Sequence, residues 1–280
     1  MYADLDPLDE FRVLGVSSEQ VLEDGPPGAF DSHGMGPATA LMVGSQVYLY
    51  YTGMVRGADL PYQLAIGLAV SDDNGHSFRR VTDGPLLATG PHDPWFMSTP
   101  CVRQTSSGFE MWYSSGVGWR ETDGQLEPHY ALRHTRSDDG IFWSLNTRLV
   151  IGLTRESAGL TRASVLHGGS SRHLWFCSRG AQRFREPGQT AYRLQGATLC
   201  ERGLAEIGRQ EVAFANPPSR EDWDEWMQAY PAVEALGEDL VMLYNGNGFG
   251  RGGFGRARLP GGALLVGPNS STPSHNKMHA

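Results

Sequence analysis

The sequence predicts an all-β protein, a five-bladed β-propeller, and three observations lead to that prediction. Alternating apolar runs at residues 62–81 and 130–145 each reach a Ser-Asp-Asp turn before an aromatic residue opens the next run, which is the pattern of a β-hairpin. A strand with the sequence VYLYYTG (47–53) has counterparts at long, nearly constant intervals. The 36 glycines and 17 prolines suit a chain with many turns.

The recurring strand defines the repeat. Its counterparts are MWYSSG (111–116), LWFCSRG (174–180) and VMLYNGNG (241–248). If Tyr48, Met111, Leu174 and Val241 are equivalent, the intervals are 63, 63 and 67 residues. Another short strand precedes each one, at 36–43, 99–104, 162–167 and 230–235. Four-stranded units repeated radially describe a propeller, in which ring closure hides the sheet edges, whereas a sandwich has no fixed long period.

The two ends of the chain complete the predicted domain. Residues 1–35 resemble the last strand or two of a fifth blade, because 11–13 and 21–25 resemble 78–81 and 86–90. Either C-terminal strands around 263–266 complete this blade, or the chain lacks a leading segment that its relatives possess. In the second case the incomplete blade edge would favour a homo-oligomer. We predict one propeller domain over 1–266 and a disordered polar tail over 267–280.

Composition restricts the class of protein and its partners. With 280 residues, of which 40% are hydrophobic, the chain can bury the core of one large all-β domain. The sequence has no apolar run near the roughly 18 residues of a membrane span and no secretion signal, and its three cysteines suit reduced thiols, so we expect a cytoplasmic protein. The net charge of −8 argues against nucleic acid or a membrane as partner. The histidine spacing suggests no metal, and we expect no cofactor.

An acidic residue precedes the first strand of every repeat. These residues are Asp31, Asp93, Glu156 and Asp224, the last followed by Glu225. Because the innermost strands of a propeller line its channel, we expect these carboxylates to converge on one mouth. Two carboxyl groups about 5–5.5 Å apart favour retaining glycosidic cleavage and roughly 6.5–9.5 Å favour inversion. The alternative is that each acid only caps a turn, since repeats also copy structural residues.

Aromatic and polar residues near these acids are candidates for sugar binding. Trp95, Trp119 and Trp226 lie in predicted loops, where their rings could stack on a sugar or pack between blades. The candidates for binding hydroxyl groups are His33, Arg162, Asp224, Asn245 and Asn247. The glycine-rich stretch 245–255 is predicted to be a hairpin connection rather than a phosphate loop, because no helix follows a parallel strand there.

Several of these segments together resemble a known superfamily. YLYYTG, AIGLAVSDD, the Asp-Pro-Trp-Phe segment at 93–96, LWFCSRG and MLYNGNGFGRGGFG are similar to the five-bladed propellers of arabinanases, levansucrases and invertases, especially an uncharacterised bacterial branch. The similarity covers 31–259. It implies a catalytic Asp as nucleophile or base, a second Asp as helper and a Glu as acid, which are Asp31, Asp93 and Glu225 here. Glu225 stands one residue earlier than the Trp-Asp-x-Glu pattern of close relatives would place it, and on a strand one residue reverses the facing of a side chain.

Two hypotheses about function follow from different classes of protein. The first is a glycoside hydrolase or transglycosidase that acts at the propeller mouth. The second is a non-hydrolytic sugar-binding or biosynthetic tailoring protein. In both, the partner is a small-molecule or oligosaccharide ligand. A structural interaction module is supported only by the incomplete first blade.

Overall fold

A computed structural model describes residues 2–168, 171–188, 190–214, 217–259 and 274–277, and its regular structure is almost entirely β-strand. The strands are β1 (Ala3–Asp6), β2 (Arg12–Val16), β3 (Met35–Val43), β4 (Gln46–Val55), β5 (Gln63–Ser71), β6 (Arg79–Arg80), β7 (Met97–Thr105), β8 (Gly108–Thr122), β9 (Gln125–Ser137), β10 (Arg148–Ile151), β11 (Gly159–Gly168), β12 (Ser171–Arg179), β13 (Arg193–Leu199), β14 (Ala205–Glu211), β15 (Ala229–Leu236), β16 (Asp239–Asn245), β17 (Phe254–Leu259) and β18 (Ser274–Lys277). Within the described ranges the single helical turn is α1 (Asn247–Gly250). The all-β prediction is therefore confirmed. Among these residues, no helix has the length and hydropathy needed to cross a bilayer.

The strands pair in sequence order as four antiparallel groups. Consecutive strands pair within β3–β6, β7–β10, β11–β14 and β15–β18. These are the four-stranded repeats that the sequence predicts. The glycine-rich stretch after β16 is a hairpin connection, as predicted, because β16 and β17 pair antiparallel on either side of α1.

The chain forms two compact units, each with its own core. The first comprises Ser17–Gly152 and holds β3–β10. Its core includes Tyr50, Met111 and Tyr113, all fully buried, because β4, β5 and β8 each carry long buried runs. The second comprises Ala3–Val16 and the described residues from Leu153 onward, with a core that includes Cys177 and Met227.

The two Ser-Asp-Asp turns share a pattern of side-chain hydrogen bonds. Ser71 and Ser137 each accept a hydrogen bond from a glycine N–H at 2.8 Å and donate to an aspartate, Asp73 at 2.6 Å and Asp139 at 3.0 Å. The serine therefore closes the turn through its side chain, as Asx and Ser turns do. The repeated sequence therefore gives a repeated set of turn-closing hydrogen bonds.

The chain ends differ in how much the structure describes. β1 and β2 pair with each other in the second unit. The predicted C-terminal strands around 263–266 lie outside the described residues. Within the tail that the sequence predicts to be disordered, β18 pairs antiparallel with β17, so these four residues form a strand. The free edge of β17 explains this pairing, because an unpaired edge offers a row of backbone donors and acceptors.

Candidate functional site

The first strand of each group contains a β-bulge. Its register with the next strand shifts in β3, β7, β11 and β15. In the last three a residue other than glycine adopts a left-handed conformation: Thr99 (φ 49°), Arg162 (φ 57°) and Tyr230 (φ 58°). Bulges and such backbone conformations occur preferentially near functional sites, where they redirect side chains. The predicted acids lie just before these strands.

Asp31 is enclosed by two partners from its own unit. Its side chain is fully buried, and its Oδ2 accepts hydrogen bonds from the Tyr51 hydroxyl at 2.9 Å and from Arg80 Nε at 2.8 Å. Its Oδ1 has no hydrogen-bond partner among the described residues. Burial raises the pKa of Tyr51 far above its ordinary value, and the hydrogen bond to Asp31 is the second largest cause. The hydroxyl therefore remains a donor.

Asp93 has the same kind of environment. It is 4% exposed, and the Tyr113 hydroxyl lies 3.1 Å from both of its carboxylate oxygens. Thr147 donates a further hydrogen bond to Oδ2 at 3.2 Å, and Arg133 Nε lies 3.5 Å from Oδ1. Burial raises the pKa of Tyr113 as it does that of Tyr51.

Asp224 repeats the arrangement in the second unit. It is fully buried, and the Tyr244 hydroxyl donates to its Oδ2 at 2.7 Å. Burial, followed by that hydrogen bond, raises the pKa of Tyr244. We call each buried aspartate with its tyrosine a carboxylate clasp: Asp31–Tyr51, Asp93–Tyr113 and Asp224–Tyr244. The tyrosine follows the aspartate by 20 residues in all three.

The third repeat lacks a carboxylate clasp. Its aligned acid, Glu156, is exposed, and the residue 20 positions later is Phe176, which has no hydroxyl to donate. The carboxylate clasp is thus a feature of three repeats rather than four.

In each repeat that has a carboxylate clasp, a glycine lies against the chain segment that contains or closely follows the aspartate. A Cβ on Gly53 would lie 2.5 Å from the Phe30 ring, and one on Gly116 would lie 2.7 Å from the Phe96 ring. A Cβ on Gly246 would lie 2.3 Å from the carbonyl oxygen of Trp223. Since real Cβ contacts are not that short, these positions need glycine for close backbone approach.

Glu225, the predicted acid, has a different setting. It is exposed, and its Oε2 accepts a hydrogen bond from the Glu221 N–H at 3.0 Å within a surface turn. Asp31 and Asp93 belong to the first unit, and Asp224 and Glu225 to the second. Convergence of the acids at one mouth stays a prediction.

The predicted hydroxyl-binding residues have several environments. His33 is exposed, with Nδ1 3.2 Å from the Ser32 hydroxyl, and Arg162 is half-buried in the bulge of β11. Asn247 Oδ1 accepts hydrogen bonds from the N–H groups of Trp226 and of the next residue, both at 3.0 Å. Asn245 Nδ2 contacts a carbonyl in the same connection at 3.5 Å. The side chain of Asn247 therefore holds the loop that carries Trp226.

An aromatic cluster lies in the first unit where the sequence predicts sugar-stacking residues. The Trp119 ring is 5.0 Å from Tyr62 and 5.8 Å from Phe96, centroid to centroid. Trp119 Nε1 is a buried donor without a partner among the described residues. Trp95 is 43% exposed. Tyr62 and Phe96 were not among the predicted site residues, although both stand beside predicted strand starts.

Metal-ligating side chains do not gather into a candidate metal centre in the part of the chain that the structure describes. Among the described residues, no group of three or more His, Cys, Asp or Glu side chains is arranged to hold a metal ion.

Comparison with known proteins identifies relatives by sequence. No family model matches the chain. Two proteins of Mycobacterium tuberculosis, Uncharacterized protein MT1551 (strain CDC 1551 / Oshkosh) and Uncharacterized protein Rv1502 (strain ATCC 25618 / H37Rv), are each 33% identical over 251 residues. Each match covers 89% of this chain and 79% of the relative.

Comparison with solved structures identifies the fold. An alpha-L-arabinofuranosidase from Lactobacillus brevis matches with a TM-score of 0.59 at 12% identity, over 85% of this chain and 71% of that one. Cellvibrio cellulosa alpha-L-arabinanase, solved with arabinohexaose, matches with a TM-score of 0.56 at 13% identity, over 86% of this chain and 76% of that one. Bombyx mori GH32 beta-fructofuranosidase BmSUC1 matches with a TM-score of 0.57 at 15% identity, over 85% of this chain and 49% of that one. The predicted resemblance to arabinanase- and invertase-type propellers is confirmed at the level of the fold.

Proposed function

This chain belongs to the family of the Mycobacterium tuberculosis proteins MT1551 and Rv1502, and we propose that it is a carbohydrate-active β-propeller protein. The observation that carries the proposal is the fold, which the chain shares with glycoside hydrolases of the arabinanase and invertase types. We propose five blades in one domain over 1–266. We also propose a cytoplasmic location, supported by three cysteines that are all free thiols.

Saccharide binding is supported by the aromatic cluster of the first unit. Sugar rings present C–H faces that pack on aromatic side chains, while their hydroxyls seek hydrogen bonds. Trp95 offers an exposed ring, and the Trp119 ring lies beside Tyr62 with an N–H that has no partner among the described residues. Such a surface offers both contacts that a neutral sugar ring can use.

Hydrolysis is the first candidate for the chemistry that follows binding. In this mechanism Asp31 is the nucleophile or base, Asp93 adjusts the charge of the site, and Glu225 protonates the leaving oxygen. The nucleophile or base and the acid must reach the glycosidic bond. The buried Asp31 side chain would have to become accessible to the ligand, and Glu225 would have to leave its hydrogen bond to the Glu221 N–H.

Binding without cleavage is the second candidate, and side-chain geometry favours it. Asp31, Asp93 and Asp224 are all enclosed with a tyrosine at the same sequence distance. One of the three, Asp224, is not part of the proposed catalytic set, although it has the same tyrosine partner as Asp31 and Asp93. Three copies of one environment suit a repeated structural role. The propeller would then retain sugar recognition and lack glycosidase chemistry.

The saccharide-binding proposal is tested by titrating mono- and oligosaccharides against intrinsic tryptophan fluorescence and by calorimetry. Trp95→Ala is expected to weaken binding of the best ligand at least tenfold, because it removes the exposed ring. Phe142→Ala is the matched control, since Phe142 is an 81% exposed aromatic residue outside the cluster. Failure of the unmodified protein to bind any saccharide in a broad panel would contradict the proposal.

The two chemistries are separated by turnover of aryl glycosides. If the protein is a hydrolase, Asp31→Asn, Asp93→Asn and Glu225→Gln each abolish turnover while circular dichroism and saccharide binding persist. If it only binds, the unmodified protein cleaves no member of the panel that it binds. Turnover that survives all three substitutions would exclude these carboxylates as the catalytic set.

A further inference from the structure

A cleft of about 460 Å³ lies within the first unit, and neither Trp95 nor Trp119 is among the residues that line it. It is bordered by the segment that leads to Asp31, by the beginning of β5 and by the connection that follows β6. Its apolar wall includes Phe30, Leu64 and Pro85, and its polar groups are Gln63, Asp83 and Thr89. This volume falls within the roughly 300–1,000 Å³ of typical small-ligand pockets.

The polar side chains of this cleft are available to a ligand. Gln63, Asp83 and Thr89 are exposed. None of the three has a side-chain hydrogen bond or ion pair within the part of the chain that the structure describes. By contrast, Asp31 and Asp93 already hold tyrosine partners. The cleft therefore combines an apolar wall with polar side chains that have no partner in the described ranges.

The wall is held in place by packing. The Phe30 ring stacks on Tyr51, with centroids 5.9 Å apart and an interplanar angle of 23°. It also lies over Gly53 and Gly67, where an added Cβ would come within 2.5 Å and 2.7 Å of the ring. Because Tyr51 is itself fixed by Asp31, the position of Phe30 is preorganised, which reduces the ordering cost of binding.

We propose that this cleft is a second saccharide subsite that binds one neutral sugar ring. The carboxylate of Asp83 can accept hydrogen bonds from two neighbouring hydroxyls, as ionised acceptors do strongly, and Gln63 and Thr89 can both donate and accept. No arginine, lysine or histidine is among the described residues that line the cleft, so it does not suit phosphorylated or acidic sugars. The subsite rests on the proposed carbohydrate function and extends it to a cleft that neither Asp31 nor Tyr51 lines.

The subsite is tested by saturation-transfer NMR and calorimetry with D-glucose, D-galactose, L-arabinose and D-fructose. Asp83→Asn is expected to weaken binding of the best ligand at least tenfold, because the amide loses one acceptor and the charge. Asp59→Asn is the control, since Asp59 is an exposed acid in the same unit that does not line the cleft. Equal loss in both variants, or no loss in either, overturns the subsite.

A second variant adds a large side chain to the lining of the cleft. Gly84 belongs to that lining and a Cβ there would meet nothing within 4 Å, so Gly84→Phe is expected to obstruct the cleft at little structural cost. It is expected to abolish binding at this subsite while the far-ultraviolet spectrum stays unchanged. Saccharide binding that depends on Trp95 but resists both Gly84→Phe and Asp83→Asn supports the carbohydrate function and overturns the subsite. No saccharide binding by the unmodified protein overturns both.

Discussion

At the scale of single residues, the carboxylate clasps show how these repeats tolerate buried charge. Burying an ionised carboxylate is costly unless hydrogen bonds and opposite charge replace water. Asp31 has Tyr51 and Arg80, and Asp93 has Tyr113 and Arg133. The acid and its partners come from distant parts of one repeat. Each clasp therefore ties the connection before a group of strands to the strands themselves.

Removal of one clasp hydroxyl tests this role. Tyr51→Phe is expected to lower the free energy of unfolding by about 1.5–3 kcal/mol, the range for hydrogen bonds to charged groups. Urea denaturation followed by tryptophan fluorescence measures the change. Tyr48→Phe is the control on the same strand, because the Tyr48 hydroxyl has no hydrogen bond within the described residues. Equal effects of the two substitutions would show that the bond to Asp31 contributes nothing.

At the scale of elements, the turn that joins β9 to the next segment depends on one carboxylate. Asp139 Oδ1 accepts hydrogen bonds from the N–H groups of Phe142 and Ile141, both at 2.8 Å. These bonds hold the pKa of Asp139 below its ordinary value, and the bond from the Phe142 N–H has the largest effect. A lowered pKa in the folded state means that the ionised form stabilises the turn. That stabilisation is present above the unfolded pKa of about 3.9 and is lost as pH falls through the native value.

Replacement of this carboxylate should therefore have a pH-dependent effect. Asp139→Ala is expected to lower the midpoint of thermal unfolding at pH 7, and the difference from the unmodified protein should narrow as pH falls below about 4. The neighbouring Asp138→Ala serves as control, because Asp138 makes no hydrogen bond or ion pair within the described residues. A difference that is constant from pH 7 to pH 3 would contradict the ionic origin of the effect.

The glycines opposite the acids are a second feature of the strand groups. Gly116 lies under Phe96, and Gly116 N–H donates to the Phe96 carbonyl at 2.8 Å. Gly116→Ala would force the ring or the backbone to move, and overpacking of this kind costs typically about 1–3 kcal/mol. Gly36→Ala is the strand control, since a Cβ there meets nothing within 4 Å. Chemical denaturation measures the free energy of unfolding of both variants. Equal values would show that the segment that carries Phe96 moves without cost.

At the scale of the whole molecule, the repeat was predictable and the environment of its acids was not. The interval between strands and the Ser-Asp-Asp turns predict the four groups because period-two alternation and turn residues act locally. The enclosure of Asp31 depends on Tyr51 and Arg80, which are distant in sequence. A signal was available, however. A tyrosine follows Asp31, Asp93 and Asp224 by 20 residues, and a tyrosine is absent at the corresponding place after Glu156.

The N-terminal strands show that sequence order and spatial grouping differ in this chain. β1 and β2 precede the first unit but belong to the second. Glu10 forms an ion pair with Arg256 of β17, and the Arg256 guanidinium lies 6.0 Å from the centroid of the Phe11 ring. A two-stranded hairpin has little stability by itself, so these contacts are expected to keep it folded. The last group of strands therefore supports the beginning of the chain.

Hydrogen exchange can test this support directly. Arg256→Ala is expected to raise amide exchange throughout residues 3–16, because the hairpin loses both the ion pair and the contact with Phe11. Exchange in β4 and β5 should stay unchanged, since those strands belong to the other unit. Arg258→Ala is the control from the same strand, because its partner is Asp239 rather than the hairpin. If Arg256→Ala left residues 3–16 protected, the hairpin would be held by its own pairing. If both substitutions raised exchange in residues 3–16 equally, protection of the hairpin would depend on the stability of β17 rather than on the ion pair with Glu10.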